Sequence, residues 1–246
     1  MIETAPVYWY DDIDSTSEEA KRRARRGETA TVWIAARQQS AGKGRLGRDW
    51  VSPIGNLFCT LLFPEPGGLN IAARIPFAAA LAVRDTCEAV TPDLGALLKW
   101  PNDVRVRGQK ISGILTETGV TNGVVWVALG MGINLQNAPE NLEQAATSLV
   151  REGASSALTA DLLLDHLTQT VSLRIQQARQ DFSGLLQDWL EAAEGRGQMV
   201  QAGPVNERIE GVFETLAEDG GLVLRLPDGS QRTIRAGDVD LVKRVS

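Results

Sequence analysis

The run GKGRLGRDW at positions 42–50 limits the possible folds of this chain more than any other feature. Glycine lets the backbone bend at positive φ and approach a ligand closely, and successive exposed amides in such a bend bind anions. Lys43, Arg45 and Arg48 add cationic donors that suit phosphate or carboxylate. The run therefore predicts a loop that wraps an anionic ligand, with the aromatic ring of Trp50 at its end.

The same run also contains the dinucleotide signature G-x-G-x-x-G, which the sequence context excludes. The third glycine of that signature must open a helix, whereas Pro53 and Gly55 follow soon after this one and break any helix. Lys43 is not a P-loop lysine, because the chain has no G-x-x-x-x-G-K-[ST] pattern. A solvated basic turn remains the alternative, but the apolar strand at 31–36 and the closing Trp50 favour a ligand loop.

Composition limits the class of ligand that the loop can bind and the cellular compartment of the protein. The formal net charge of the 246 residues is −6, whereas nucleic-acid-binding proteins are usually basic, so the loop cations predict a small anionic ligand. Cys59, Cys87 and His166 are the only residues of their types, which excludes a Cys/His zinc site and any Ser-His-Asp triad without His166. Two cysteines form no disulfide framework, no signal peptide is visible and the apolar runs are too short for a bilayer, so we predict a cytoplasmic protein without membrane association.

The pattern of strands and turns predicts an α+β protein. Short turns join neighbouring strands, which indicates antiparallel pairing. Strands are predicted at 7–10, 29–36, 56–63, 97–100, 104–106, 110–118 and 124–129, and helices at 14–27, 71–90, 159–179 and 182–190. Pro76 lies in the first turn of its helix or at a kink, and His166 lies beside an apolar helix stripe, which indicates a structural role. Short strands at 209–216, 222–226, 232–234 and 239–242 predict a small β-barrel, so the chain divides into domains 1–194 and 195–246.

Three further segments carry polar groups where chemistry could occur. At the first helix start, Ser15 with Glu18, or Thr16 with Glu19, can form a capping box, and the free amides and hydroxyls there could also face a ligand. The motif KWPND at 99–103 places two polar residues after an apolar strand, although a simple turn also explains it. The strand KISGIL at 110–115 starts with a lysine that a solvated strand edge would also explain, and its glycine indicates close approach of a ligand or another backbone.

The order and spacing of these motifs resemble the biotin protein ligases. The glycine loop, KWPND and KISGIL all match that family, together with 14–16, 39–41 and 130–134. The resemblance covers 7–135 strongly and the tail more loosely. It implies a class II synthetase-like fold, with a mixed, mostly antiparallel sheet, helices on one side and a small SH3-like C-terminal β-barrel. Because the family pattern begins within the first ten residues, it also implies the monofunctional type without an N-terminal DNA-binding domain, and no DNA binding.

The resemblance implies a two-step ligase reaction. The biotin carboxylate attacks the α-phosphate of ATP, which gives biotinyl-5′-AMP and pyrophosphate. A lysine of a biotin carboxyl carrier protein domain, from acetyl-CoA carboxylase or a related biotin-dependent carboxylase, then takes the biotinyl group and releases AMP. ATP and biotin are the substrates, and Mg²⁺ is expected on the phosphates. Monomer and homodimer both remain open.

The resemblance also implies roles for single residues of this sequence. Lys110 would lie between the biotin carboxylate and the α-phosphate, Trp50 would stack on adenine, and Asp103 would orient or deprotonate the acceptor lysine. Position 43 is Lys where the family usually has Arg, so the loop loses a planar guanidinium there. The implied catalytic residues are Lys110, Arg45 and Asp103; those at biotin are Ser15, Thr16, Ser17, Gln39, Lys43, Gly44, Arg45 and Lys110; those at the nucleotide are Arg45, Arg48, Trp50, Asn102, Lys110 and Asn134.

Two alternatives remain beside the biotin ligase hypothesis. A lipoate ligase or a lipoyl/octanoyl transferase has a related fold, but Ser15, Thr16 and Gln39 suit the ureido ring of biotin better than a lipoyl chain. A biotin-sensing protein without catalysis is the second alternative. Lys110 and Arg45 argue against it, because a sensor does not need cations aimed at a reacting phosphate.

Overall fold

The computed structural model describes residues 1–28, 30–140, 144–204 and 206–242. The first residue of the predicted strand at 29–36 lies outside these ranges. The last four residues of the predicted second domain, 243–246, also lie outside them. The strands of a first sheet are β1 (Val7–Ile13), β2 (Val32–Gln39), β3 (Leu57–Pro64), β4 (Leu97–Lys99), β5 (Asp103–Val106), β6 (Gln109–Thr121) and β7 (Val124–Ile133). The helices are α1 (Thr16–Arg25), α2 (Gly68–Ala72), α3 (Ile75–Val90), α4 (Ala160–Gln180) and α5 (Phe182–Glu191).

The first sheet has the strand order β1-β2-β3-β7-β6-β5-β4. β1 and β2 pair parallel, because α1 returns the chain to the starting edge between them. The other neighbours pair antiparallel, and short turns join β4 to β5, β5 to β6 and β6 to β7. The predicted α+β class with a mixed, mostly antiparallel sheet is confirmed.

The two faces of this sheet carry different helices. On β3, Leu61 and Phe63 face the main core with α3, α4 and α5, whereas Leu62 faces the opposite side. There it meets Ala20 and Ala24 of α1 in a smaller cluster. The expectation that all helices lie on one side of the sheet is therefore wrong for α1. The small apolar residues of that helix pack on the opposite face of the sheet.

The apolar segment predicted as one helix at 71–90 forms two. α2 ends at Ala72 and α3 begins at Ile75, with Pro76 in its first turn, where the missing N–H costs no hydrogen bond. The predicted start of α4 is also observed, because the Thr159 hydroxyl accepts a hydrogen bond from the Leu162 N–H. His166 is exposed on this helix and does not line the cavity described below.

The second sheet consists of β8 (Met199–Gly203), β9 (Ile209–Leu216), β10 (Leu222–Arg225), β11 (Gln231–Ile234) and β12 (Asp238–Leu241). The order is β11-β10-β9-β8-β12, and all neighbours pair antiparallel. The sequence pattern missed β8, because its five residues contain only two large apolar side chains; β9 and β12 stabilise it from both sides.

The second sheet contacts the first through the KWPND motif. The Trp100 indole N–H donates to the carbonyl of Gly220 at 3.1 Å, and Phe77 packs so closely on that glycine that a Cβ there would lie 2.2 Å from the ring. Among the described residues, no helix is both long and apolar enough to cross a membrane.

Candidate active site

One cavity of about 280 Å³ brings most of the predicted site residues together. It lies between the start of α1, the loop at 42–50, which we call the flap, and the central strands β3, β6 and β7. Asp103 alone among the predicted residues does not line it. The predicted residues that do are Ser15, Thr16, Ser17, Gln39, Lys43, Gly44, Arg45, Arg48, Trp50, Asn102, Lys110 and Asn134.

One end of the cavity is a buried network of hydroxyls and an amide, which we call the polar floor. The Gln39 side-chain oxygen accepts from the Thr16 backbone N–H at 2.8 Å and from its hydroxyl at 3.2 Å. Thr60 links the hydroxyls of Thr16, at 2.9 Å, and Ser17, at 3.3 Å. Ser52 accepts from the Gln39 amide at 2.9 Å. Each member holds another in place, so this end is formed without a ligand.

The helix start at this floor differs from the predicted capping boxes. Ser15 is the N-cap residue of α1, but its side chain makes no capping hydrogen bond. The Glu18 and Glu19 carboxylates instead pair with Lys21, Arg22 and Arg23 on the outside of the helix. The capping prediction is therefore wrong, because Asp14 accepts from the Ser15 N–H at 2.7 Å and Gln39 accepts from the Thr16 N–H, so neither glutamate is needed at the helix start.

The flap folds as a tight loop, as its glycines predict. The Trp50 N–H donates to the Gly42 carbonyl at 3.0 Å, and the Gly44 N–H donates to the Arg48 carbonyl at 2.7 Å. Gly42 must lack a side chain, because a Cβ would lie 2.5 Å from the Trp50 carbonyl oxygen. No long helix follows the loop, in agreement with the exclusion of a dinucleotide fold.

Trp50 lies flat on two paired glycines of the sheet. Gly113 on β6 pairs with Gly132 on β7. A Cβ would lie 2.9 Å from the Trp50 ring at Gly113 and 2.5 Å from it at Gly132. The predicted close approach at Gly113 is thus explained by an indole, and the glycine pair forms its seat. The indole N–H is buried and has no partner among the described residues.

Two flap arginines reach towards KWPND and the second sheet. The Arg45 guanidinium donates to the Asn102 side-chain oxygen at 2.8 Å. Burial lowers the pKa of Arg45 below its ordinary value, while the nearby Asp238 carboxylate acts in the opposite direction. Arg48 donates from Nε to the Arg45 carbonyl at 3.2 Å. In this conformation the flap places the Arg45 and Arg48 side chains at the cavity.

Lys110 and Asp103 form an ion pair at the edge of the cavity. The Lys110 Nζ lies 2.6 Å from the Asp103 carboxylate and 5.3 Å from the centroid of the Trp50 ring. Asn102 fixes this corner through two hydrogen bonds to Ile114. Its side-chain amide donates to the Ile114 carbonyl at 2.8 Å, and its backbone carbonyl accepts from the Ile114 N–H. A lysine and a carboxylate thus lie side by side where the sheet meets the flap.

Asn134 supplies an unused acceptor in the cavity wall. Its side chain is 2 % exposed, and its amide nitrogen donates to the Thr147 carbonyl at 3.0 Å. Its oxygen is buried and has no partner among the described residues. A buried acceptor without a donor costs roughly 1–3 kcal/mol, so a ligand that donates there would be favoured.

Sequence reasoning missed several residues of the site. Thr60 and Ser52 complete the polar floor, Gly132 completes the indole seat, and Asp238 contacts the flap from the second sheet. A lone hydroxyl in the apolar strand NLFCTLLF was a usable signal for Thr60. The contact of Asp238 with the flap had no local signal, because it joins residues 190 positions apart.

The arrangement can bring two anions together. Four cations, Lys43, Arg45, Arg48 and Lys110, line the same cavity as the neutral polar floor. Fixed cations and amides in a partly closed site offset the repulsion between a carboxylate and a phosphate. A partly enclosed cavity with these groups suits the activation of a carboxylic acid by a nucleoside triphosphate.

Comparison with known proteins agrees with this geometry. The sequence pattern of the biotin/lipoate A/B protein ligase family matches residues 10–134, and that of the biotin protein ligase C-terminal domain matches residues 197–242. The chain is similar to a biotin–[acetyl-CoA-carboxylase] ligase of Paracoccus denitrificans, with 37% identity over 89% of this chain and 93% of the relative. A Mycobacterium tuberculosis protein of the same name is 30% identical over 92% of this chain and 85% of its own.

A solved structure shows the same fold over nearly the whole length. The Aquifex aeolicus biotin protein ligase in complex with biotin and ATP superposes with a TM-score of 0.81 and 26% identity, over 97% of this chain and 99% of that one. Sequence and fold agree with the resemblance that the motifs carry. The chain therefore belongs to the biotin/lipoate A/B protein ligase family, as a ligase enzyme of its biotin protein ligase branch.

Proposed function

We propose that this enzyme activates biotin with ATP as biotinyl-5′-AMP and transfers the biotinyl group to a lysine of a biotin carboxyl carrier protein domain. The observation that carries the proposal is a cavity lined both by a hydrogen-bonded polar floor and by four cations. The names of the relatives support acetyl-CoA carboxylase as the source of the carrier.

In the first step, biotin binds with its ureido ring on the polar floor and its carboxylate towards the flap. Ser15, Thr16, Ser17 and Gln39 provide donors and acceptors for the ring. Lys110 lies between the carboxylate and the α-phosphate and stabilises the charge that develops on the bridging oxygen. Lys43 and Gly44 close over biotin, and Arg45 and Arg48 contact the phosphate and the carboxylate. The carboxylate oxygen forms the new bond to phosphorus, and pyrophosphate leaves.

The nucleotide lies under the flap. Trp50 stacks on the adenine ring, and the unpaired oxygen of Asn134 accepts a hydrogen bond from its exocyclic amine, which satisfies a buried acceptor. Asn102 holds Arg45 at 2.8 Å and so places that guanidinium near the phosphate.

In the second step, the acceptor lysine attacks the acyl carbon of the adenylate. The new bond joins the lysine nitrogen to the biotin carbonyl carbon, and the bond to the AMP oxygen breaks. Asp103 orients this amine or takes its proton, and its ion pair at 2.6 Å places it beside Lys110, next to the acyl group.

A magnesium ion at this site would be held mainly by phosphate and water oxygens. The described residues contain no group of three or more His, Cys, Asp or Glu side chains that could hold a metal ion. Asp49 is a carboxylate on the cavity wall that could approach it. The ion would neutralise phosphate charge.

We further propose that residues 1–194 form the catalytic domain and 195–246 an SH3-like domain, a division supported by the C-terminal family match at 197–242. The enzyme acts in the cytoplasm, since Cys59 and Cys87 are both free and buried.

Biotin-dependent exchange of radioactive pyrophosphate into ATP tests the first step. We expect exchange with biotin and none with lipoate or octanoate. Exchange only with lipoate or octanoate would favour the lipoyl alternative, and biotin binding without any exchange would favour a sensor. Mass spectrometry of a carrier domain, with its acceptor lysine changed to arginine as the control, tests the second step.

A further inference from the structure

Strand β12 of the second sheet directs two carboxylates towards the first sheet. Asp238 and Asp240 are two positions apart, so they share one face of the strand, and Val239 between them is buried in the core. Asp240 contacts the KWPND motif and Asp238 contacts the flap. The strand therefore connects two segments of the active site that lie far apart in the sequence.

Asp240 anchors the strand. Its carboxylate lies 2.8 Å from the Nζ of Lys99, whose side chain is only 9% exposed, and it also pairs with Arg208. Burial alone would raise the pKa of Asp240, but hydrogen bonds from Lys99 and Arg208 hold it below its ordinary value. Because Lys99 ends β4 of the first sheet, this pair fixes β12 against the rigid part of the site.

Asp238 contacts both flap arginines. One carboxylate oxygen lies 3.6 Å from Nη1 of Arg45 and 3.4 Å from Nη2 of Arg48. The carbonyl of Gly237 accepts from Nη2 of Arg45 at 3.4 Å. Asp238 thus sits between two like charges that would otherwise repel each other and spread the flap.

These contacts leave part of Arg45 free for a ligand. A guanidinium has five N–H donors. Asn102, Gly237 and Asp238 engage the two terminal nitrogens, and no partner is found for Nε within the described part of the chain. Asp238 can therefore hold the terminal nitrogens of Arg45, while the remaining donors of this arginine stay available to a ligand.

We propose that Asp238 is a positioning residue for the flap, and that Asp240 and Lys99 hold it in place. This inference rests on the proposed function, because it assumes that Arg45 and Arg48 bind the phosphate. The second sheet then contributes to the reaction without touching the substrates, by holding the flap arginines in position when the flap is closed.

The D238N variant tests this role. We expect the KM for ATP and the dissociation rate of biotinyl-5′-AMP to rise by roughly three- to tenfold, since two partly exposed ion pairs are lost. The kcat at saturating ATP and the melting temperature should stay close to those of wild type. D238E should restore the ATP KM, because it keeps the carboxylate. D240N should change both values in the same direction by a smaller factor.

D228N is the matched control. Asp228 lies in a turn of the same sheet and bonds only to Ser230 among the described residues, so the same change of charge should have no effect. An unchanged or lowered ATP KM in D238N would overturn the proposal, since a lowered value would mean that Asp238 competes with the phosphate. An effect in D228N equal to that in D238N would also overturn it. Absence of pyrophosphate exchange in wild type would instead refute the proposed function.

Discussion

The polar floor and the flap form two ends of one cavity, and they are built in opposite ways. The floor consists of neutral side chains on α1, β2, β3 and the loop before β3 that are bonded to one another; Thr16 and Thr60 are 3% and 0% exposed, and Gln39 is half-buried. The flap consists of charged side chains on a loop, where Leu46 is 77% exposed and the Arg48 side chain 51% exposed. Its arginine side chains have partners in KWPND and the second sheet, and the Ser52 hydroxyl of the floor donates to its Trp50 carbonyl at 2.9 Å.

The difference shows how one site can hold a small neutral ring and also admit a large anion. A network that satisfies its own hydrogen bonds keeps its shape without ligand. A loop held by partly screened ion pairs can open at little cost. We infer that recognition of biotin depends on the floor, whereas binding of ATP and retention of the adenylate depend on the flap.

Substitution of Lys110 is expected to have the largest effect, because this residue lies where the two ends meet. K110A should reduce biotin-dependent pyrophosphate exchange by roughly 10²–10³-fold, the loss seen when one donor to developing charge is removed. Biotin binding measured by calorimetry should change far less. K21A, which removes a lysine paired with Glu18 and Glu117 on α1, is the control. Near-normal exchange in K110A would contradict the assigned role.

Truncation of Arg45 should weaken the contacts of the flap and leave the polar floor unchanged. R45A should speed the release of biotinyl-5′-AMP by roughly ten- to a hundredfold, because a hydrogen bond to a charged group contributes about 1.5–3 kcal/mol. Release can be measured by trapping the free adenylate with hydroxylamine. R37A removes an arginine that pairs with Asp161 at 2.6 Å and should leave release unchanged. Retention equal to wild type in R45A would count against the flap as the group that holds the adenylate.

Two glycines on β7 separate the ends most sharply. A Cβ would lie 2.7 Å from the Ser17 hydroxyl at Gly130, and 2.5 Å from the Trp50 ring at Gly132. We expect G130A to raise the KM for biotin and G132A to raise the KM for ATP, each about tenfold, since overpacking costs about 1–3 kcal/mol. Each variant is the control for the other. Equal changes of both KM values in both variants would show that the ends are not independent.

The smallest expected effect concerns Lys43, where the family usually has Arg. K43R should slow release of the adenylate by roughly two- to fivefold, because a planar guanidinium can form two parallel bonds to a carboxylate. The same hydroxylamine assay measures it, and the KM for biotin should not change. Faster release in K43R would mean that the ammonium group is the better partner at this position.

The sequence predicted most of the cavity wall because the motifs are local. The spacing of glycines and cations at 42–50 determines the local backbone there, and the strands after KWPND do the same for theirs. Trp50 and Lys110 therefore line the cavity. Pairing across the sheet and between the sheets has no local signal. The seat at Gly132 depends on the register of β6 against β7, and the contacts of Asp238 and Asp240 depend on the docking of the second sheet.

The capping prediction failed for a related reason. A local rule assigned Glu18 or Glu19 to the start of α1, but Asp14 accepts from the Ser15 N–H and Gln39, from the neighbouring strand, accepts from the Thr16 N–H instead. Ala20 and Ala24 pack α1 on the second face of the sheet. In the sequence, their small side chains do not indicate which face of the sheet they cover.

Hydrogen exchange, followed by mass spectrometry with and without biotin plus ATP, tests the contrast between the two ends most directly. We predict that amides at 42–50 gain protection when the adenylate forms, whereas amides of β3 and β7 under the polar floor exchange at the same slow rate in both states. Equal protection of 42–50 in the two states, or a large gain in β3 and β7, would contradict a preformed floor and a flap that the ligand orders.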